Sequence, residues 1–312
     1  MRIRDAPPRL WHTVCRCVSR VCHSSVHGGP AVCFGELSGP ISRRRLLAAG
    51  GLAVSMLAGQ AGRASAQVRP PAIKPTVVGK SRGGQPIVAN HVGDDRQRVV
   101  VLGGQHGSPE ANAVDLTNAI LDYVSHHPSS IPKGVGLDII TIANPDGYIT
   151  GSRQYLSGVD PNRNWASGDW EPDAYDSLGR YFLGLGGPVP MSEPETRSLA
   201  AWISRRQPDL LVNYHSAGGF VSTSQDGLSW ELADVYARAS DYPCYGPDAP
   251  FGYPITGAMD GWLAGKGIAD LFVELSTLTG SEVEENLAGL IAVLERLASY
   301  APLAPGFRQR PN

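Results

Sequence analysis

The stretch GGQHGSPEAN, residues 103–112, follows the β-branched run RVVVL (98–102). Behind it Ala113, Leu116, Ile120 and Val124 recur at helical spacing. Ten residues therefore join a buried strand to an amphipathic helix. His106 stands at the strand end, and Glu110 at the start of the helix. Glu110 has two readings at this point. It is a metal ligand beside His106, or a first-turn acid favoured by the helix dipole behind Ser108 as N-cap and Pro109 as first helical residue.

Working outward, PTVVGKSRGGQPIVANHVGDD (75–95) reads as a hairpin turning at Ser81-Arg82-Gly83-Gly84. Four compact apolar runs, RVVVLGG, LDIITIAN, DLLVNYH and ADLFVEL, have the length and β-branched content of buried strands. Helical patterns separate them. One runs from Pro109 to about Tyr123, and another opens at Ser192-Glu193-Pro194-Glu195 with the spacing of a capping box. Two more are predicted from Leu228 to Ala239 and from Glu282 to Ser299. Strands alternating with helices predict a single α/β domain with a central mixed, mostly parallel β-sheet and helices on both faces.

In such a sheet the ligand site lies beyond the carboxyl ends of the strands. The polar residues at those ends are His106, Asn144, Asp146, His215 and Glu274. A catalytic zinc takes three protein ligands from His and Glu or Asp, with a fourth position open to water. His106, Glu110 and His215 satisfy that requirement, and Gly107 and Ser216 leave room beside the histidines. The adjacent pair His126 and His127 falls where the first helix ends, a place that suits cations for the sake of the helix dipole. No G-x-S-x-G elbow is present, so Ser216 beside His215 does not make a serine-hydrolase site.

Composition excludes other classes. Lys and Arg number 27 against 29 Asp and Glu, which removes the basic excess of a nucleic-acid binder. The only long uncharged apolar stretch is Leu46 to Gly62, which holds four glycines and is marginal for a membrane span. It follows Arg43-Arg44-Arg45 and precedes Ala64-Ser65-Ala66, so residues 42–66 read as a twin-arginine signal peptide. Export to the periplasm, cell wall or medium is expected, with no stable membrane anchor after cleavage. Residues 1–41 then read as disordered upstream sequence from a wrongly chosen start, and residues 67–312 as the catalytic domain. Removing the first 66 residues takes away Cys15, Cys17, Cys22 and Cys33 and leaves Cys244, so no intramolecular disulfide is expected.

Five motifs now occur in order: GGQHGSPE, NPDGY (144–148), GVDPNRNW (158–165), NYHSAGG (213–219), and GYPITGAMDGW (252–262) followed by LFVELS (271–276). In this the chain resembles the zinc carboxypeptidase family of the carboxypeptidase A type over most of residues 72–300. The resemblance implies one zinc ion held by His106, Glu110 and His215. Glu274 would be the general base, Arg153 the oxyanion stabiliser, Asn162 and Arg163 the clamp on the substrate's terminal carboxylate, and Tyr253 the residue closing over it. A guanidinium fork matches a carboxylate, so Arg163 points to a peptide substrate with a free C-terminus. Glu274 follows Leu271-Phe272-Val273, where a buried acid without a task would be costly.

The family's first motif is usually His-x-x-Glu, and here it is one residue longer. Gly107, able to adopt backbone angles closed to other residues, is expected to absorb the extra residue before Pro109 starts the helix. Asp260, counted along from Tyr253, stands where the family's pocket residue is found, and an acid there resembles enzymes that prefer C-terminal Lys or Arg. Related bacterial murein amidases act on the amine-bearing diaminopimelate of cell-wall peptides, which an acidic pocket also suits. The main expectation is thus a metallocarboxypeptidase acting on peptides. The alternatives are a murein peptide amidase and a non-catalytic peptide-binding relative with an impaired zinc site.

Overall fold

The four apolar runs form the central strands. The computed structural model describes residues 73–246 and 252–300. The first half contains β1 (Lys74–Lys80), β2 (Pro86–Gly93), β3 (Gln97–Leu102), α1 (Ala111–His126), β4 (Val135–Ile140), α2 (Pro145–Thr150), β5 (Ala174–Tyr175) and β6 (Tyr181–Phe182). The second contains α3 (Pro194–Arg206), β7 (Leu210–Ser216), β8 (Phe220–Ser222), α4 (Leu228–Ser240), β9 (Cys244–Tyr245), α5 (Met259–Ala264), β10 (Ala269–Leu275) and α6 (Val283–Ser299). The expected upstream segment and signal peptide, with their four cysteines, lie outside the described residues. Among the described residues no helix is long and apolar enough to cross a membrane.

Eight described strands make one sheet in the order β1-β2-β4-β3-β7-β10-β8-β9. Its centre, β4-β3-β7-β10, is parallel, while β1, β2 and β8 join antiparallel. The predicted mixed, mostly parallel sheet is therefore the observed one. Side chains alternate between faces along each strand. Val99 and Val101 of β3, Leu210, Val212 and Tyr214 of β7, and Leu271, Val273 and Leu275 of β10 pack with Leu116, Ile120, Tyr236, Val293 and Leu294 of α1, α4 and α6. Val100, Leu102 and Leu211 face the other way, onto Leu199, Trp202 and Ile203 of α3 and Met259, Trp262 and Leu263 of α5. Each fully buried Leu or Ile contributes about 1.5–3 kcal/mol by leaving water. The same alternation sends Asn213, His215, Asp270, Phe272 and Glu274 to the second face.

Two local expectations need correction. The first helix begins at Ala111, preceded by a 3-10 turn over Ser108–Glu110 whose cap is Gly107, with no side-chain cap. Ser108 is thus inside the turn rather than capping it. The capping box at Ser192 to Glu195 does not form either: α3 is capped at Glu193 without a side-chain bond. The reason is tertiary competition. Ser192 Oγ accepts from Asn164 Nδ2 at 2.9 Å, and Glu195 Oε1 accepts from the Arg82 backbone N–H at 2.7 Å.

Candidate metal centre

Strand register assembles the site. His215 and Glu274 are direct partners across β7 and β10, and Asn213 lies level with Leu102 of β3. His106, four residues beyond Leu102, thus reaches the same edge as His215 and Glu274. Glu110 is brought there by the 3-10 turn, in which its N–H donates to the Gly107 carbonyl at 3.0 Å. Gly107 itself has φ −83°, outside the left-handed region. Its role is therefore not the special backbone angle expected from sequence. A Cβ there would lie 1.9 Å from the Ser152 carbonyl oxygen and 2.4 Å from the Gly147 carbonyl carbon, so only glycine allows the two backbones to meet.

The extra residue in the first motif does not keep Glu110 away. Its Oε1 lies 2.8 Å from His106 Nδ1, its Oε2 lies 3.1 Å from His215 Nδ1, and the two Nδ1 atoms are 3.1 Å apart. All three residues are buried, each 3 % exposed or less. One donor atom from each lies within 4.8 Å of the others. Burial lowers the His215 imidazole to about 4, against the opposing pull of Glu110, so the ring is neutral at pH 7 and offers a lone pair. Burial would push the Glu110 carboxyl up, but His106 and Arg153 hold it well below its ordinary value. Two imidazole nitrogens and an ionised carboxylate converging at this distance form a donor set that fits a zinc-type cation.

Around the three lies a second ring of contacts. His106 Nε2 is 3.2 Å from Asp160 Oδ1, and His215 Nε2 is 3.0 Å from Gln105 Oε1. Arg153 bridges the cluster: Nη1 bonds Glu110, Nη2 lies 2.9 Å from His106 Nε2, and Nε donates to Asp160 Oδ2 at 3.1 Å. Asp160 is fully buried, and although burial raises its carboxyl, Arg153 and His106 keep it well below the ordinary range. Neither Asp160 nor Gln105 was singled out from sequence. Gln105 immediately precedes His106 and Asp160 lies two residues before Asn162, and that proximity is the signal the sequence offers.

Glu274 stands apart from this network. Its Oε2 is buried without a hydrogen-bond partner, and its carboxyl is raised to about 8 by burial and then by the charge of Glu110, with Arg153 opposing. With Arg153, Arg163, Asn162 and Tyr253 it lines a cavity of about 250 Å³ that also takes in His106 and Glu110. Arg163 is 3 % exposed and donates Nε to the Tyr175 carbonyl at 2.9 Å and Nη1 to the Asn162 carbonyl at 2.7 Å. Gly257, with φ +65°, allows the following loop to close on it, because a Cβ there would lie 2.2 Å from the Arg163 carbonyl oxygen.

A second cavity, of about 380 Å³, shares Asn162, Tyr253, Ile255 and Phe272 with the first. Its wall holds Asp260, Asp169 and the hydroxyls of Ser222, Thr223 and Ser224. Burial raises the Asp260 carboxyl. Just behind, Asp270 accepts from Gln225 Nε2 at 2.5 Å and from Thr223 Oγ1 and Ser224 Oγ, each at 3.3 Å.

His106, Glu110, Arg153, Asn162, Arg163, Tyr253 and Glu274 thus line one cavity, His215 joins them through Glu110, and Asp260 lines the adjoining cavity. The other strand-end pair proved structural: Asn144 caps α2 through Gly147 N–H at 3.0 Å, and Asp146 accepts from Gly83 N–H at 2.7 Å. His126 and His127 reach back to the carbonyls of Asp122 and Tyr123 at the end of α1. Ser216 Oγ donates to Asn112 Oδ1 at 2.7 Å, so its hydroxyl is not directed at His215.

A three-layer α/β sheet with a buried His-Glu-His group at its carboxyl edge has the architecture of a metallohydrolase. The family pattern described as zinc carboxypeptidase matches residues 62–276, and the chain belongs to that family. Murein peptide amidase A of Escherichia coli K12 is 27 % identical over 211 residues, covering 64 % of this chain and 80 % of that protein. Carboxypeptidase B of Astacus astacus is 27 % identical over 210 residues, covering 56 % of this chain and 68 % of that one. Among solved structures, thrombin-activatable fibrinolysis inhibitor aligns with a TM-score of 0.64 at 17 % identity, over 75 % of this chain and 71 % of its own. The murein-tripeptide amidase of Escherichia coli O157 aligns at 0.55 and 22 % identity, over 76 % and 97 %. These two structural likenesses speak for the fold.

Proposed function

We propose that the protein is a zinc-dependent peptidase that releases a C-terminal residue bearing an ammonium group in its side chain, with a murein peptide ending in diaminopimelate as substrate. The observation that carries the reading is the acid-walled cavity joined to the Asn162–Arg163 corner beside the metal ligands. The similarity to murein peptide amidase A supports the same choice. Export, expected from residues 42–66, would bring the enzyme to such a substrate.

In this reading His106, Glu110 and His215 would hold a zinc ion, which when bound would supply Lewis acidity for the scissile carbonyl and a water acidified toward a pKa of about 7. Glu274 accepts the water's proton and returns it to the leaving amine, a role for which its unpartnered Oε2, in the cavity that holds His106 and Glu110, is placed. Arg163 and Asn162 fix the terminal carboxylate, placing the last peptide bond near Glu274. Arg153 supplies positive charge for the carbonyl oxygen as negative charge develops there. Tyr253, shared by both cavities, covers the bound residue. Asp260 and Asp169 offer the negative wall for the side-chain ammonium. The convergence of Glu110 on both histidines supports catalysis over a zinc-free peptide binder.

A second reading is a carboxypeptidase acting on proteins or peptides that end in Lys or Arg, supported by Asp260 and by the similarity to carboxypeptidase B. Three substrates separate them, given to zinc-loaded protein: a murein tripeptide ending in diaminopimelate, and peptides ending in Lys and in Phe. Fastest turnover of the murein peptide supports the proposal. Faster cleavage of the Lys peptide favours the second reading, and activity that survives chelation of the metal rejects both.

A further inference from the structure

We propose that Gln105 is a positioning residue that ties the second metal histidine to the substrate-carboxylate corner through its one side-chain amide. The side chain is 1 % exposed, and both of its ends are engaged. Its Nε2 lies 3.0 Å from the Pro161 carbonyl oxygen and 3.3 Å from Asn162 Oδ1. A backbone carbonyl can only accept, so the NH2 end of Gln105 must face Pro161. The oxygen end is thereby turned to His215 Nε2, at 3.0 Å, and to Asn213 Nδ2, at 2.6 Å.

A carbonyl oxygen cannot donate, so His215 must carry its proton on Nε2. A neutral imidazole protonated there has its lone pair on Nδ1, the atom that faces Glu110 and His106 Nδ1. One fixed amide thus sets which nitrogen of His215 can bind the metal. Partners of this kind orient a ligand ring, and their loss commonly weakens metal binding.

The other end acts on Asn162. Asn162 Oδ1 accepts from Gln105 Nε2 and from the Met259 backbone N–H at 2.9 Å. Two donors on the oxygen orient the amide so that its NH2 end points elsewhere, and Asn162 lines both cavities. Gln105 therefore holds the metal side and the substrate side of the site in one register.

The inference rests on the zinc reading of the site, and two variants divide its halves. Gln105→Met keeps the volume and removes every hydrogen bond; Gln105→Glu keeps an acceptor for His215 but loses the donors to Pro161 and Asn162. The zinc dissociation constant, read by competition with a chromophoric chelator, is expected to rise roughly 10–100-fold in Gln105→Met and to stay within about threefold of the parent in Gln105→Glu. KM for a peptide with a free C-terminus is expected to rise about tenfold in both. Nitrogen NMR of the zinc-loaded parent is expected to find the His215 proton on Nε2, a measurement that needs neither variant to fold. Parent-like zinc affinity in Gln105→Met, or a His215 proton on Nδ1, overturns the role of Gln105 alone. A parent protein that takes up no zinc overturns the metalloenzyme reading as well.

Discussion

Replacing Glu274 by Gln tests the base and its burial together. The carboxyl is raised from its ordinary 4.5 to about 8, chiefly by burial and then by the charge of Glu110. At 1.36 kcal/mol per pH unit, ionising it in the folded metal-free chain costs about 5 kcal/mol. The folded state holds the proton more tightly than the unfolded state does, so the contribution of Glu274 to stability is full below pH 4.5 and is lost as pH rises through about 8. The opposing charge of Arg153 is already contained in that rise. The amide introduced by Glu274→Gln would carry no charge at any pH. Urea unfolding of metal-free protein at pH 5 and pH 9 should therefore show a pH-dependent loss in the parent that is smaller in Glu274→Gln, leaving the variant more stable at pH 9 by up to about 5 kcal/mol. The same variant, loaded with zinc, should lose about 10²–10⁴ in turnover while holding its metal. An unchanged pH dependence would refute the burial argument, and parent-level turnover would refute the assignment of the base.

Asp260→Asn should lower kcat/KM for a substrate with a C-terminal ammonium side chain about 10-fold or more relative to one ending in Phe. An unchanged ratio would remove Asp260 from the specificity pocket. Trp165→Ala should cost about 3–5 kcal/mol in chemical denaturation, because the ring is fully buried against Trp262 at 5.0 Å and its Nε1 donates to the Pro161 carbonyl. KM should rise with it, since Pro161 is the residue before Asn162; an unchanged KM would contradict that link.

Much of the site was legible because chemistry and strand ends are both local in sequence. The runs before His106, His215 and Glu274 are short, apolar and β-branched, and each delivers a polar residue where the strand stops. The same local signals failed where a competitor arrived from elsewhere in the chain. Asn164 and Arg82 take the groups that a capping box at Ser192 to Glu195 would have used. The short elements β8, β9, α2 and α5 lack a full period of pattern and depend on their neighbours for burial.

By itself, the sequence determined the α/β class, the hairpin, the central strands and the residue types of a metal site, because hydrophobic period and side-chain chemistry are properties of contiguous residues. Tertiary structure decided that Glu110 reaches the two histidines despite its longer spacing, since that depends on a 3-10 turn and on Gly107 meeting the backbone at Gly147 and Ser152. It also decided the outer partners Asp160 and Gln105 and the acid wall behind Asp260. Those contacts join residues distant in the chain, and only the pairing of β3, β7 and β10 sets which of them meet.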